Sequence, residues 1–265
     1  MTHKEQLIAD LNALRVRSPL VHNITNYVVM NTTANALLAI GASPVMAHSV
    51  HEVKDMTGIA SALVINIGTL SKEWVAAMLK AGKAARKKGI PVIFDPVGVG
   101  ATPYRNEVAA RILKKCKPAV IRGNASEIMA LANENTTTKG VDSTLSSNSA
   151  LDAAKRLASE TGAIVVISGE IDFITDGIKV VSVKNGSPLM PKVTGMGCTA
   201  TALIGAFAAV NTDYLTAATS AMAVMGVAGE LAAQKSDGPG SMQFHFIDAL
   251  YNLSSETLAE NAKIV

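Results

Sequence analysis

The chain is poor in cysteine, in aromatic rings and in charge. Its 265 residues include two cysteines, Cys116 and Cys198, and one tryptophan, with 17% charged residues. A disulfide framework is excluded at this length, so a reducing, cytoplasmic setting is expected. Aromatics are 4% and do not interleave with basic residues, and the net charge of +3 is too small to argue for nucleic acid. There is no Walker A pattern, no zinc-ligand spacing, and no Gly-x-Gly-x-x-Gly in the first strand-turn-helix. The apolar stretch 196–234 is broken by Asn211, Thr212 and Asp213 and closed by Glu230, Gln234 and Lys235. It reads as two buried helices, not a membrane span. The opening MTHKEQLIADLNALRVR is charged and amphipathic, without the apolar core and cleavage site of a signal peptide. The basic run Lys80–Lys88 reads as a solvated helix face, and His22, His48, His51 and His245 as core or surface residues.

What is abundant is aliphatic. Hydrophobic residues reach 49%, mainly Ala, Val, Ile, Leu and Met, enough for a large continuous core. Strand-like and helix-like runs alternate. Pro19–Ile24, Ala62–Ile67, Val92–Phe94, Ala119–Arg122 and Ala163–Ser168 read as buried strands. Tyr27–Ile40, a helix capped by Ser71 and carrying Trp74, Asn106–Lys115, Asn124–Asn133 and a helix marked by Leu151 and Leu157 lie between them. Asp176-Gly177 separates two short alternating runs and signals a hairpin. Helices at roughly 198–210, 213–235 and 244–261 finish the chain. The polar stretch Glu134–Ser149 is too short to divide it. The pattern predicts one α/β domain over residues 1–265: a mostly parallel central sheet, helices on both faces, and antiparallel strands at one edge. Ligands of such sheets bind beyond the carboxyl ends of the strands.

Five segments at those ends carry candidate chemistry. Val193–Ala200 (VTGMGCTA) runs into a small-residue helix. Gly195 and Gly197 allow a tight turn and close backbone approach, and free N–H groups at the helix start favour an anion. Cys198 falls in the first turn, where the helix end lowers a thiol's pKa. Alone, the motif also fits a plain turn with a buried cysteine. Phe94–Gly100 (FDPVGVG) ends a strand with Asp95, suited to a hydrated Mg²⁺ or simply to a turn. Ile121–Glu127 (IRGNASE) offers Arg122 for a phosphate and Glu127 for a metal, although Asn124 and Glu127 also spell a capping box. Ser168 stands where it would bond a nucleotide phosphate or lead into the hairpin. Asn26 and Met46 suit a heteroaromatic pocket, or a helix cap and the core.

Taken together, SPLVHNITNYVV, ALLAIGASPVM, NIGTLSKE, DPVGVGATPYR, IRGNASEI, TGMGCTA and DGPGSMQF appear in order over residues 18–244. In this the chain resembles the hydroxyethylthiazole kinase family. The resemblance implies a three-layer α/β/α ribokinase-like fold with no separate lid domain. It implies transfer of the γ-phosphoryl group of ATP to the hydroxyl of 4-methyl-5-(2-hydroxyethyl)thiazole, in thiamine salvage, with Mg²⁺. It implies a homotrimer with the thiazole pocket at subunit contacts. By residue, it assigns Asn26, Met46 and Gly195 to substrate, Arg122 and Ser168 to ATP, Asp95 and Glu127 to the metal, and Gly195, Gly197 and Cys198 to catalysis. Cys198 stands where most ribokinase-like kinases have an aspartate base, so positioning and charge are expected to dominate over base catalysis. Hydroxymethylpyrimidine (phosphate) kinase is the second enzyme reading, although its substrate segment differs from SPLVHNITNYVV. An NAD(P)H-hydrate dehydratase is disfavoured by Cys198. A silent thiazole- or nucleotide-binding sensor is disfavoured by Asp95, Glu127 and the intact glycine loop.

Overall fold

The structure, a computed structural model, describes residues 2–132 and 143–265. The stretch Glu134–Ser149 lies largely outside the described residues. The elements follow in order: α1 His3–Arg17, β1 Leu20–Ile24, α2 Met30–Ile40, β2 Ser43–Val45, α3 Val53–Ile59, β3 Ala62–Asn66, α4 Lys72–Lys88, β4 Val92–Asp95, α5 Pro103–Cys116 and β5 Val120–Asn124. Then come α6 Ala125–Leu131, α7 Ser143–Thr161, β6 Ile164–Ser168, β7 Asp172–Thr175, β8 Val180–Val183, α8 Met196–Ala208, α9 Tyr214–Ala233, α10 Pro239–Asn252 and α11 Ser255–Asn261.

The strands form one sheet in the order β2-β1-β3-β4-β5-β6-β7-β8. Pairing is parallel from β2 to β6, and antiparallel from β6 to β8. The expected hairpin is there, with Gly177 at φ 98°. Because successive strand side chains alternate between faces, two apolar layers result. Val21, Val64, Ile93, Val120 and Val166 pack with α1, α2, α8, α9 and α10. Leu63, Ile65, Phe94, Ile121 and Val165 face the layer that includes α4, α5 and α7. This is the predicted three-layer arrangement.

Three expectations differ in detail. The second helix starts at Met30, not Tyr27, because Asn26 Oδ1 takes the Val28 N–H in a local turn at 3.1 Å. The stretch 244–261 breaks into α10 and α11, since the Ser254 hydroxyl caps a new helix at the Thr257 N–H. Strand β2 escaped the periodicity because it has three residues, one of them Pro44 at a sheet edge. Helix α9 is long and apolar enough to cross a membrane, yet it is mostly buried inside this fold. His22 is a core residue: Nε2 donates to the Ala47 carbonyl at 2.7 Å, and burial lowers its pKa.

Candidate active site

Strand parity builds the site. Asn66, Asp95, Arg122 and Ser168 each lie two residues beyond Val64, Ile93, Val120 and Val166, which face α8. Period 2 therefore aims all four polar side chains at α8, at the carboxyl ends of four parallel strands. Asn66 sits opposite Asp95 in register, and Asn124 opposite Ser168.

Helix α8 meets them with its first turn. Gly195 precedes it at φ 86°, where a side chain would be strained, and a Cβ there would lie 2.8 Å from Val29. A Cβ at Gly197 would lie 2.5 Å from Arg122 Nη1. The first N–H groups of α8 have no carbonyl one turn earlier, so with Arg122 beside them they make a setting suited to an anion. Arg122 Nη2 donates to Ser168 Oγ in a short contact, while its Nε has no partner.

Asp95 is fully buried. Its Oδ2 accepts from Asn66 Nδ2 at 2.8 Å and from the Thr201 hydroxyl at 2.9 Å, whereas Oδ1 accepts nothing. Burial pushes its pKa up to about 6, Arg122 pulls it down, and Glu127 pushes it up again. Glu127 turns out to serve the capping box: Oε2 accepts from the Asn124 N–H and Oε1 from the Gly98 N–H, both at 2.9 Å. The box does not remove it from the site, because it fixes the carboxylate between the loop after β4 and the start of α6. Among the described residues no three His, Cys, Asp or Glu side chains form a metal cage. The donor set still fits Mg²⁺, which binds proteins through one or two carboxylates and keeps waters and substrate phosphates as its other ligands. The bare, buried Oδ1 of Asp95 is the observation that favours such a cation.

Cys198 corrects one expectation. Burial and the charge of Asp95 push its thiol up to about 11, although Asn66 and Asn26 hydrogen bonds favour the thiolate. With its pKa above the ordinary thiol value, the thiol is neutral near pH 7. Asn26 Nδ2 donates to Asn66 Oδ1 at 2.9 Å and approaches Cys198 Sγ at 3.4 Å. Met46 follows β2, outside the hydrogen-bonded cluster. The cluster thus joins Asn26, Asp95, Arg122, Ser168, Gly197 and Cys198, with Gly195 and Glu127 at its rim.

Sequence reasoning left out Asn66, Thr201 and Arg105. Asn66 had a readable signal, since it ends an apolar strand at the same parity as Asp95. Arg105 Nη1 donates to the Ile67 and Val97 carbonyls at 2.6 Å each, and Nη2 to the Gly68 carbonyl at 2.9 Å, tying together the loops after β3 and β4. Next to Asn26, Tyr27 and His48 pack against Trp74, with centroids 4.6 and 4.5 Å from it, beside a hollow of about 440 Å³.

The model of the hydroxyethylthiazole kinase family matches residues 11–256. A hydroxyethylthiazole kinase of Syntrophus aciditrophicus is 57% identical over 262 residues, covering 98% of this chain and 97% of its own. One from Leptospira biflexa is 57% identical over 258 residues, 97% of both. The solved hydroxyethylthiazole kinase of Pyrococcus horikoshii OT3 superposes with a TM-score of 0.91 at 42% identity, over 98% of both chains. A pyridoxal kinase of Staphylococcus aureus in complex with ADP superposes with a TM-score of 0.64 at 16% identity, over 83% of this chain and 90% of that one. The second likeness bears on the fold alone, which is ribokinase-like.

Proposed function

The chain belongs to the hydroxyethylthiazole kinase family, and from that premise we propose how its own residues perform the transfer. The enzyme phosphorylates the hydroxyl of 4-methyl-5-(2-hydroxyethyl)thiazole at the expense of ATP, in thiamine biosynthesis or salvage. One observation carries the site assignment: four strand ends aim Asn66, Asp95, Arg122 and Ser168 at the glycine-led first turn of α8.

In this reading Arg122 and the free N–H groups of α8 hold the oxygens of the transferring phosphoryl group, where charge grows in the transition state. Gly197 lets Arg122 close on the loop. Ser168, bonded to Arg122, contacts the nucleotide. Asp95 and Glu127 would hold Mg²⁺, which neutralises phosphate charge when bound. Asn26, Met46 and Gly195 line the thiazole side, and Cys198 orients the alcohol. With a thiol pushed up to about 11, Cys198 does not take the alcohol's proton near pH 7. Phosphoryl transfer through a loose transition state calls little on a base, so the rate comes from alignment and fixed charge.

We read residues 1–265 as a single kinase domain, cytoplasmic and trimeric, with thiazole pockets at subunit contacts. The exposed Tyr27 and Val28, next to Asn26, support a subunit contact there, and light scattering tests the trimer. The test of function measures ATP consumption with the thiazole alcohol, the pyrimidine alcohol and pyridoxal side by side, with and without Mg²⁺. Turnover is expected with the thiazole alcohol and Mg²⁺. Turnover with the pyrimidine alone overturns the substrate, and none with any alcohol favours a binding protein.

A further inference from the structure

We infer that Asn66 is a positioning residue for this reaction: its side-chain amide holds Asp95, Cys198 and Asn26 in one fixed arrangement. The inference rests on the phosphoryl-transfer reading above. Asn66 is only 1% exposed. The Gly68 backbone N–H lies 2.9 Å from its Oδ1 and can only donate, which fixes the orientation of the amide. That oxygen also accepts from Asn26. Nδ2 therefore faces Asp95 Oδ2 at 2.8 Å and Cys198 Sγ at 3.2 Å. An asparagine offers two donors and two acceptor positions, and all four are used. No capacity is left for substrate, so Asn66 acts through its partners.

The consequences are directional. With Thr201 on the same atom, Asp95 Oδ2 carries two donors and Oδ1 none. The carboxylate cannot rotate without breaking both bonds, so its bare oxygen keeps one heading. Cys198 Sγ is approached by two amide donors, from Asn66 and Asn26. Its S–H accordingly points away from them. One amide thus links the acid on the phosphate side to the groups on the alcohol side.

Aspartate at this position keeps the shape and the acceptor for Gly68 and Asn26, but removes both donors and sets an oxygen against Asp95. Serine removes most of the amide without adding charge. Steady-state kinetics of the full-length Asn66→Asp and Asn66→Ser variants beside wild type separate the possibilities. The expected result is a kcat loss of roughly 100-fold for Asn66→Asp and at least about 10-fold for Asn66→Ser. KM for ATP and for the thiazole alcohol should stay within about 3-fold, because the substrate contacts remain. A kcat within about 3-fold of wild type in either folded variant overturns the inference. So does a KM that rises in step with the kcat loss. Failure of both variants to fold also overturns it, since that marks Asn66 as a core element. A wild-type protein with no kinase turnover would instead refute the phosphoryl-transfer reading.

Discussion

The guanidinium of Arg122 lies against the bare Cα of Gly197, so closely that a Cβ there would sit 2.5 Å from Nη1 and 2.9 Å from Nη2. Gly197→Ala must push Arg122 off the loop or lift the start of α8. The arginine is the softer element, so the fold should survive. The expected outcome is a fall of roughly 100-fold in kcat/KM for ATP, with a melting midpoint within a few degrees of wild type. Nucleotide-dependent kinetics and thermal denaturation check both halves.

Asp95→Asn should separate stability from activity. Burial holds the acid's pKa up to about 6 against an unfolded value of 3.8. The folded metal-free protein therefore binds more protons than the unfolded chain between those values, and this group's contribution weakens as pH rises through the window. At pH 7.5 the neutral amide should stabilise the metal-free fold by on the order of 2 kcal/mol, or roughly 5 °C. The gain should shrink as pH falls toward 4, and turnover should drop at least about 100-fold. Melting curves across pH without divalent cations test the sign.

Cys198→Ala should slow turnover by roughly 10- to 100-fold while leaving nucleotide and thiazole binding intact. Burial and Asp95 push the thiol up to about 11, so wild type and variant should share one pH-rate shape between about pH 7 and 9. A rate rising steeply with pH in wild type and flat in the variant would restore the thiol as a base. Calorimetric titration checks the binding.

Arg105→Ala leaves the carbonyls of Ile67, Gly68 and Val97 without their shared donor. The loops can recruit water, so the cost should be about 2 kcal/mol, a midpoint lower by roughly 4–8 °C. The kcat should fall by roughly 3- to 10-fold with KM for the thiazole alcohol within about 3-fold, because Gly68 anchors Asn66 and through it Asp95 and Cys198. Arg105→Lys, with a single ammonium in place of the planar fork, should fall between the two.

Much of this was legible in the sequence. Apolar strand runs ending in Asp95, Arg122 and Ser168 locate three site residues, because parity beyond an apolar partner decides the face. The same rule would have found Asn66, but it lies inside the run Ala62–Ile67, whose end is marked by Gly68, so the asparagine does not stand out as a strand terminus. Arg105 was hidden because its partners are backbone carbonyls of loops, which have no pattern of their own. The expected weak base at Cys198 agrees with the raised thiol pKa, and only the lowering expected from the helix end differs, because burial beside Asp95 is not visible in sequence. The polar stretch around 134–149 lies largely beyond the described residues, so its expected role is untouched.

From Thr199 to Ala208 every residue of α8 is buried, so the element that opens the candidate anion site is also a central strut of the interior. Catalytic competence and global cooperativity are then one transition, with no separately melting subdomain around the site. Heat inactivation should coincide with loss of tertiary signal, and saturating nucleotide should shift both by the same amount.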